Sequence, residues 1–102
     1  MQWLNYHHLY YFQVIATEGG IARAAEKLGL GQPTLSAQLR QLEEMFGKPL
    51  FERRNRKMVL TEVGRAALDY SQEIFRLGDE MIQVIQDRMV TDQIHLQIGA
   101  LD

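Results

Sequence analysis

The chain has 102 residues, of which 46% are apolar and 24% charged; it contains no cysteine and carries a formal net charge of −2. That is one domain's length with an appendage, in the proportions of an ordinary folded chain and far from a disordered one, and the lack of cysteine excludes a disulfide framework and thiolate metal sites. A reducing cytoplasm is the expected compartment: no apolar run approaches the ~20 residues of a membrane span, and MQWLNYHHLYYF lacks the basic start and unbroken apolar core of a secretion signal.

The small negative total hides an uneven distribution. Residues 1–62 hold eight Lys or Arg against six acids, a balance of +2; residues 63–102 hold three against seven, a balance of −4. Four of the eight, Arg53, Arg54, Arg56 and Lys57, fall within five consecutive positions. A segment that meets phosphate needs local positive potential, and the rest of the chain does not.

The first helix is expected from about Asn5, a good N-cap, to Thr17. Leu4, Leu9, Phe12 and Ile15 or Ala16 recur at helical spacing, and Glu18-Gly19-Gly20 ends the run. Trp3, Tyr6, Tyr10 and Tyr11 read as covers for the edge of the core, with a tyrosine at a phosphate as the alternative.

A second helix follows from Ile21 to Leu28, without a Ser or Thr to cap it. Gly29-Leu30-Gly31 interrupts the pattern. Gln32-Pro33-Thr34 restarts it with proline in a first turn, where its missing N–H costs nothing. The third helix then runs to Phe46 and ends at Gly47. Ala22, Ala24 and Ala25 are small enough to let two helices meet closely. A helix-turn-helix of this kind offers its second helix to a DNA major groove. Leu35, Leu39, Leu42 and Phe46 are expected to face the core. Gln32, Thr34, Ser36, Ala37, Gln38, Arg40 and Gln41 remain on the other sides. Amides and hydroxyls there, in place of the Glu and Lys of a plain solvated surface, suit base edges and phosphates. Gln32, Thr34, Ser36, Gln38 and Arg40 are therefore candidate DNA contacts.

Pro49-Leu50-Phe51-Glu52-Arg53 and Met58-Val59-Leu60 flank the basic turn Arg54-Asn55-Arg56-Lys57, which predicts a β-hairpin with Asn55 in a left-handed conformation. After a helix-turn-helix, such a hairpin is a wing. A solvated loop is the ordinary reading of one Arg. Four cations beside a candidate recognition helix favour contact with the DNA backbone or minor groove, which adds Arg53, Arg54, Arg56 and Lys57 to the candidates.

Thr61 can cap a fourth helix, with Glu62 well placed for its dipole. Val63, Ala67, Tyr70, Ile74, Leu77, Met81 and Val84 alternate by four and three as a coiled-coil seam, widened by Phe75, Ile82, Ile85 and Met89. Residues 61–89 as one helix would span roughly 43 Å, too long for one small domain to cover. The expected partner is the same helix of a second copy, through Tyr70, Ile74, Leu77, Met81 and Val84; folding onto its own domain is the alternative. After Thr91-Asp92, the segment Ile94-His95-Leu96-Gln97-Ile98-Gly99 alternates as a strand does and reads as the start of a further domain.

The expected fold class is thus mainly α: a winged helix-turn-helix (three-helix core plus β-hairpin wing) over 1–62, a long linker and dimerisation helix over 63–90, and the start of an effector-binding domain over 91–102. Catalysis finds no support. His7 and His8 are adjacent, hence about 100° apart on a helix. His95 lies in another element, and Glu43-Glu44 has no nucleophile or base beside it in sequence. There is no phosphate loop, nucleophile elbow or zinc spacing, so no enzyme, metal or cofactor is expected. A pure dimerisation or protein-interaction module is the remaining alternative, and it would need neither the basic wing nor the polar third helix.

The stretch ARAAEKLGLGQPTLSAQLRQLEEMFGKPLFERRNRKMVLTEVG resembles the N-terminal DNA-binding region of LysR-type transcriptional regulators, through the spacing of AAEKL, QPTLS, LE, G-x-PLFER and LTEVG. The opening NYHHLYYF is similar to the NhaR-type subgroup, which activates sodium/proton antiporter genes. The resemblance implies a winged helix-turn-helix, a dimerising linker helix and a C-terminal periplasmic-binding-protein-like domain that senses an effector. It further implies dimers or tetramers on interrupted palindromes in double-stranded DNA at promoters, with RNA polymerase as another partner. By the same analogy Gln32, Pro33, Thr34 and Ser36 fall where the recognition helix meets bases and nearby phosphates. Arg56 falls where the wing reaches the minor groove, and Arg53 beside the backbone. Two positions depart from the family pattern. Gly20-Ile21-Ala22 replaces the usual Ser-aromatic-Thr, and Ala37 replaces a frequent Arg, so a relative's operator does not transfer.

Overall fold

Asn5 caps the first helix. Its Oδ1 accepts hydrogen bonds from the backbone N–H groups of His7 and His8, at 2.8 and 3.1 Å. The structure, a computed structural model, describes residues 3–91, with side chains through Asp87. In order the elements are α1 (Tyr6–Glu18), α2 (Ile21–Leu28), α3 (Gln32–Phe46), β1 (Phe51–Arg54), β2 (Lys57–Leu60) and α4 (Glu62–Thr91). The expected strand at 94–99, with His95, lies outside the described residues.

Glycines end the first three helices, as the sequence predicts. Gly19, Gly29 and Gly47 take φ values of +87°, +70° and +74°, a region glycine enters without steric penalty. After α2, the N–H groups of Gly29 and Leu30 donate to the carbonyls of Glu26 and Ala25; after α3, those of Gly47 and Lys48 donate to Glu44 and Glu43. Both ends are therefore Schellman caps that satisfy carbonyls the helices leave free.

The three helices pack on one another around Leu9, Phe12, Val14 and Ile15 of α1, Ala24 and Ala25 of α2, and Leu35, Leu39 and Leu42 of α3. Burying each of the large side chains contributes about 1.5–3 kcal/mol, while the two alanines let α2 lie close. Three expectations fail here. Ala22 is exposed, because two residues along a helix is a rotation of about 200° from Ala24. Leu4 is exposed, because it precedes the cap and lies outside the helix whose spacing it seemed to share. Phe46 is 37% exposed although it lies on the core side of α3, because it occupies the last turn, beyond the buried leucines. The aromatic covers are also looser than expected: Trp3 is 87% exposed, and Tyr6 and Tyr10 are exposed too.

The hairpin pairs Phe51 with Leu60, Glu52 with Val59, Arg53 with Met58 and Arg54 with Lys57. The turn has two residues where the sequence predicts four, and each strand takes one residue from it. Arg54 and Lys57 are strand residues, and only Asn55 and Arg56 turn. Phe51 packs on Phe12 with ring centroids 5.5 Å apart, which ties β1 to α1.

Contacts divide the chain into two compact units, Met1–Gln72 and Glu73–Asp102. Within the first, Ser71 is fully buried and its Oγ donates to Gln13 Oε1 at 2.6 Å, joining α4 to α1. Within the second, Arg76 pairs with Glu73 and Glu80 three and four residues away, and its hydrogen bond holds the Glu73 carboxyl below its ordinary pKa.

Candidate nucleic-acid interface

The buried leucines of α3 decide what its other sides present. With Leu35, Leu39 and Leu42 inward, Gln32, Pro33, Thr34, Arg40 and Gln41 are exposed, and Ser36, Ala37 and Gln38 are half-buried. The predicted set therefore lies on one helix but not on one line. Thr34 and Gln38 occupy one flank, and Ser36 and Arg40 the other. Gly31 caps the start of α3 in extended conformation and offers no side-chain hydrogen bond. Gly20 likewise leaves α2 without a side-chain cap, as its sequence predicts. Both helices thus begin with N–H groups and a positive dipole end that no capping side chain meets.

On the wing all four predicted cations are exposed. The register sorts them. Arg53 shares a face with Phe51, Met58 and Leu60, the half-buried side of the ribbon; Arg54 and Lys57 lie opposite each other on the outer face with Glu52 and Val59. Like charges facing across a strand pair are unfavourable, and Glu52 offsets one of them through an ion pair to Arg54 at 2.9 Å. Arg54 would have to leave that pair to meet phosphate. Arg56 sits in the turn with φ +68°, after Asn55 at +50°. Two consecutive positive φ values make a type I′ turn, whose second position favours glycine. Arginine there is a costly choice for the backbone, and it puts a cation at the extreme tip of the hairpin.

Two other basic residues face inward in electrostatic terms. Arg23 and Lys27 of α2 both approach Glu18, at 3.8 and 3.3 Å. Exposed pairs of this kind contribute little stability, about 0–1 kcal/mol, but they lower the positive charge of that surface.

The base of the wing is held by residues the sequence did not mark for this role. Glu43 Oε2 accepts from Leu50 N–H at 2.8 Å, so α3 itself grips the strand's approach. Thr61 Oγ1 accepts from Gly64 N–H at 2.9 Å as the expected N-cap of α4, and it also donates to Pro49 O at 2.8 Å. Thr61 N–H donates to Leu50 O at 3.0 Å. Gly64 packs directly on that carbonyl: a Cβ there would lie 2.0 Å from Leu50 O. The capping role of Thr61 was legible from its position before Glu62. Its second bond, and the carboxylate of Glu43, could be found only from the fold, because each reaches across a chain reversal.

The expected seam of α4 is exposed in the single chain over much of its length. Val63 and Tyr70 are exposed in the first unit, Tyr70 by 72%. Leu77, Met81, Ile82, Val84 and Ile85 are each at least 41% exposed in the second. Ala67 and Ile74 are half-buried. Among the described residues no cluster of three His, Asp or Glu side chains could hold a metal ion, and no helix is long and apolar enough to cross a membrane.

Comparison with known proteins meets this geometry at several points. Residues 6–65 match the family described as bacterial regulatory helix-turn-helix protein, lysR family, which covers α1 through the start of α4. The chain is 44% identical over 95 residues to the HTH-type transcriptional activator CmpR of Synechocystis sp. (strain ATCC 27184 / PCC 6803 / Kazusa), spanning 93% of this chain and 31% of that protein. It is 34% identical over 102 residues to the transcriptional activator protein NhaR of Escherichia coli (strain K12), spanning 100% of this chain and 34% of that one. The chain thus spans about a third of the length of these curated relatives. Among solved structures, the BenM_DBD/catB site 1 DNA complex superposes with a TM-score of 0.79 at 31% identity, over 84% of this chain and 96% of that one. A mainly helical winged helix-turn-helix followed by a long helix is therefore both what the residues build and what these relatives share. The chain belongs to the LysR family of bacterial regulatory helix-turn-helix proteins.

Proposed function

We propose that this chain is the DNA-reading end of a cytoplasmic LysR-type transcriptional activator. It binds double-stranded DNA sequence-specifically as a dimer joined through α4, and the longer protein doubles that dimer into a tetramer and engages RNA polymerase. Residues 1–62 form the reading domain, 63–90 the linker, and 91–102 open an effector-binding domain. The observation that carries the reading is the pairing of two surfaces: an α3 whose free sides are rich in hydrogen-bonding amides and hydroxyls, and a wing carrying four exposed cations. Gln32, Pro33, Thr34, Ser36, Gln38 and Arg40 read bases and adjacent phosphates, and Arg53, Arg54, Arg56 and Lys57 hold the backbone and minor groove. Tyr70, Ile74, Leu77, Met81 and Val84 bury themselves against a second copy. NhaR, a transcriptional activator, aligns over the whole chain, opening segment included, which supports the activator reading; an antiporter gene is the narrower target that the NhaR-type resemblance of that segment implies.

Equilibrium binding to duplexes enriched from random sequence tests this. With about four phosphates neutralised per half-site, affinity for one half-site should fall roughly a hundredfold between ~50 and ~200 mM salt, and that of the dimer for two half-sites roughly ten-thousandfold. Arg56→Ala should weaken binding to all sequences alike and lower the salt slope by about one. Leu77→Asp should leave a folded monomer in sedimentation that binds one half-site and no longer discriminates half-site spacing. Binding that is flat in salt, or failure to enrich any sequence, would sink the proposal.

A further inference from the structure

Two apolar lines run along α4, one residue apart. The expected seam, from Val63 through Tyr70 and Leu77 to Val84, is one of them. The residue after each of its members gives the other, from Gly64 through Leu68, Ser71 and Phe75 to Ile85. Both follow the same alternation of four and three, and they lie about 100° apart on the helix, so apolar burial alone would accept either. In the first unit it is the second line that turns inward: Gly64 and Ser71 are buried and Leu68 is half-buried, whereas Val63 and Tyr70 are exposed. Ser71 is the one polar side chain in that line, yet it has 0% exposure, and its Oγ donates to Gln13 Oε1 at 2.6 Å. Apolar contact has no preferred direction; a hydrogen bond does. Gly64, seated against the carbonyl of Leu50, fixes only the start of α4. A helix held at one point can pivot. A second point two turns on fixes its tilt and its roll together.

We infer that the Ser71–Gln13 bond is the key that orients α4 on its domain, reserves the Val63–Val84 line for a second copy, and thereby sets the spacing between the two DNA half-sites. The inference rests on the reading that this chain binds DNA as a dimer joined through α4. A roll by one residue would bring the Tyr70 ring to the place where Ser71 meets Gln13 and leave that amide oxygen unpaired. Small tilts matter as well. A tilt of about 10° about Gly64 moves a residue twenty positions along the helix, roughly 30 Å away, by about 5 Å. That exceeds the rise of about 3.4 Å that separates one base-pair spacing from the next. Without the bond, neighbouring spacings become nearly equivalent.

The test uses the duplex this chain selects from random sequence, with base pairs inserted or removed between its two half-sites. The wild-type chain should favour one spacing by about tenfold over those one base pair longer or shorter. Gln13→Leu combined with Ser71→Ala replaces both partners by apolar groups, a change that can leave stability nearly as it was, as urea denaturation reports. In this double variant the preference should fall to about threefold or less, while affinity for a single half-site and dimerisation in sedimentation stay the same. Ser71→Ala alone removes one oxygen and should show the same loss if the double variant does not fold. A folded variant that keeps the wild-type preference overturns the inference and leaves the dimer reading standing. A dimeric wild-type chain indifferent to spacing also overturns it. A wild-type chain that stays monomeric removes the dimer reading itself, and this inference with it.

Discussion

The recognition helix and the wing lie a few residues apart in sequence, yet they are held by different balances of contacts. α3 is anchored by apolar burial, with Leu35, Leu39 and Leu42 at 6% exposure or less. The wing is a two-stranded ribbon, a unit barely stable alone, and too thin to bury a core of its own. It is fixed at its base by directed bonds: Glu43 to Leu50 N–H, Thr61 to Pro49 O, Thr61 N–H to Leu50 O, and the close seat of Gly64. Apolar anchors are added by Leu50, at 0% exposure just before β1, and by the Phe51–Phe12 contact. The difference teaches that helix and wing can be perturbed separately. Loss of a core leucine unravels the domain, whereas loss of a clasp at the wing base loosens one arm.

The largest expected effect is on the helix. Leu35→Ala empties a site with 0% exposure and should cost about 3–4 kcal/mol in urea denaturation. A cost under about 1 kcal/mol would break the claim that burial anchors α3. Gly64→Ala comes next: its Cβ would meet the backbone carbonyl of Leu50 at 2.0 Å, an oxygen already held by Thr61 N–H. Relieving that clash should cost about 2–3 kcal/mol and move the wing base, so DNA affinity should fall even where the domain remains folded. Thr61→Val keeps the volume but removes both the cap and the bond to Pro49 O, at about 1–2 kcal/mol. Hydrogen exchange should then rise in the hairpin before it rises in α3; equal protection in both would erase the distinction. The smallest change in stability is the most telling. Arg56→Gly relieves a non-glycine residue at φ +68° and should leave the fold unchanged or more stable by up to about 0.5–1 kcal/mol, while DNA affinity falls. Lower stability would mean that Arg56 serves the turn; unchanged affinity would move the minor-groove contact elsewhere.

Much of the fold could be read from local chemistry. Asn5 and Thr61 cap helices because their side chains reach N–H groups two or three residues on, and Gly19, Gly29 and Gly47 end them because of a backbone angle. Such interactions are complete within a few residues. The candidate site was legible in outline for a related reason: leucines at α3 spacing take one side, and what is left must face outward. Errors arose where periodicity was extended past the element that supports it, at Leu4 before its helix and at Phe46 in a last turn. Ala22 was misread by composition, since small size does not say which way a residue faces. In the hairpin, Arg54 and Lys57 were assigned to the turn because charge clusters resemble loops, whereas the positive φ values of Asn55 and Arg56 together close the reversal in two residues.

The sequence by itself determined the order of the elements, their caps, the cationic wing and the hydrogen-bonding sides of α3, together with a motif spacing specific enough to identify the family. All of these follow from covalent neighbours and helical repeat. Only the tertiary structure decided which distant groups complete one another. Ser71 is buried because Gln13, 58 positions away, accepts its hydroxyl. Glu43 reaches the backbone just before β1 rather than solvent, Thr61 carries a second bond, and Gly64 has no room for a side chain. Periodicity says which face a residue occupies; what lies opposite is settled by how the chain turns back on itself.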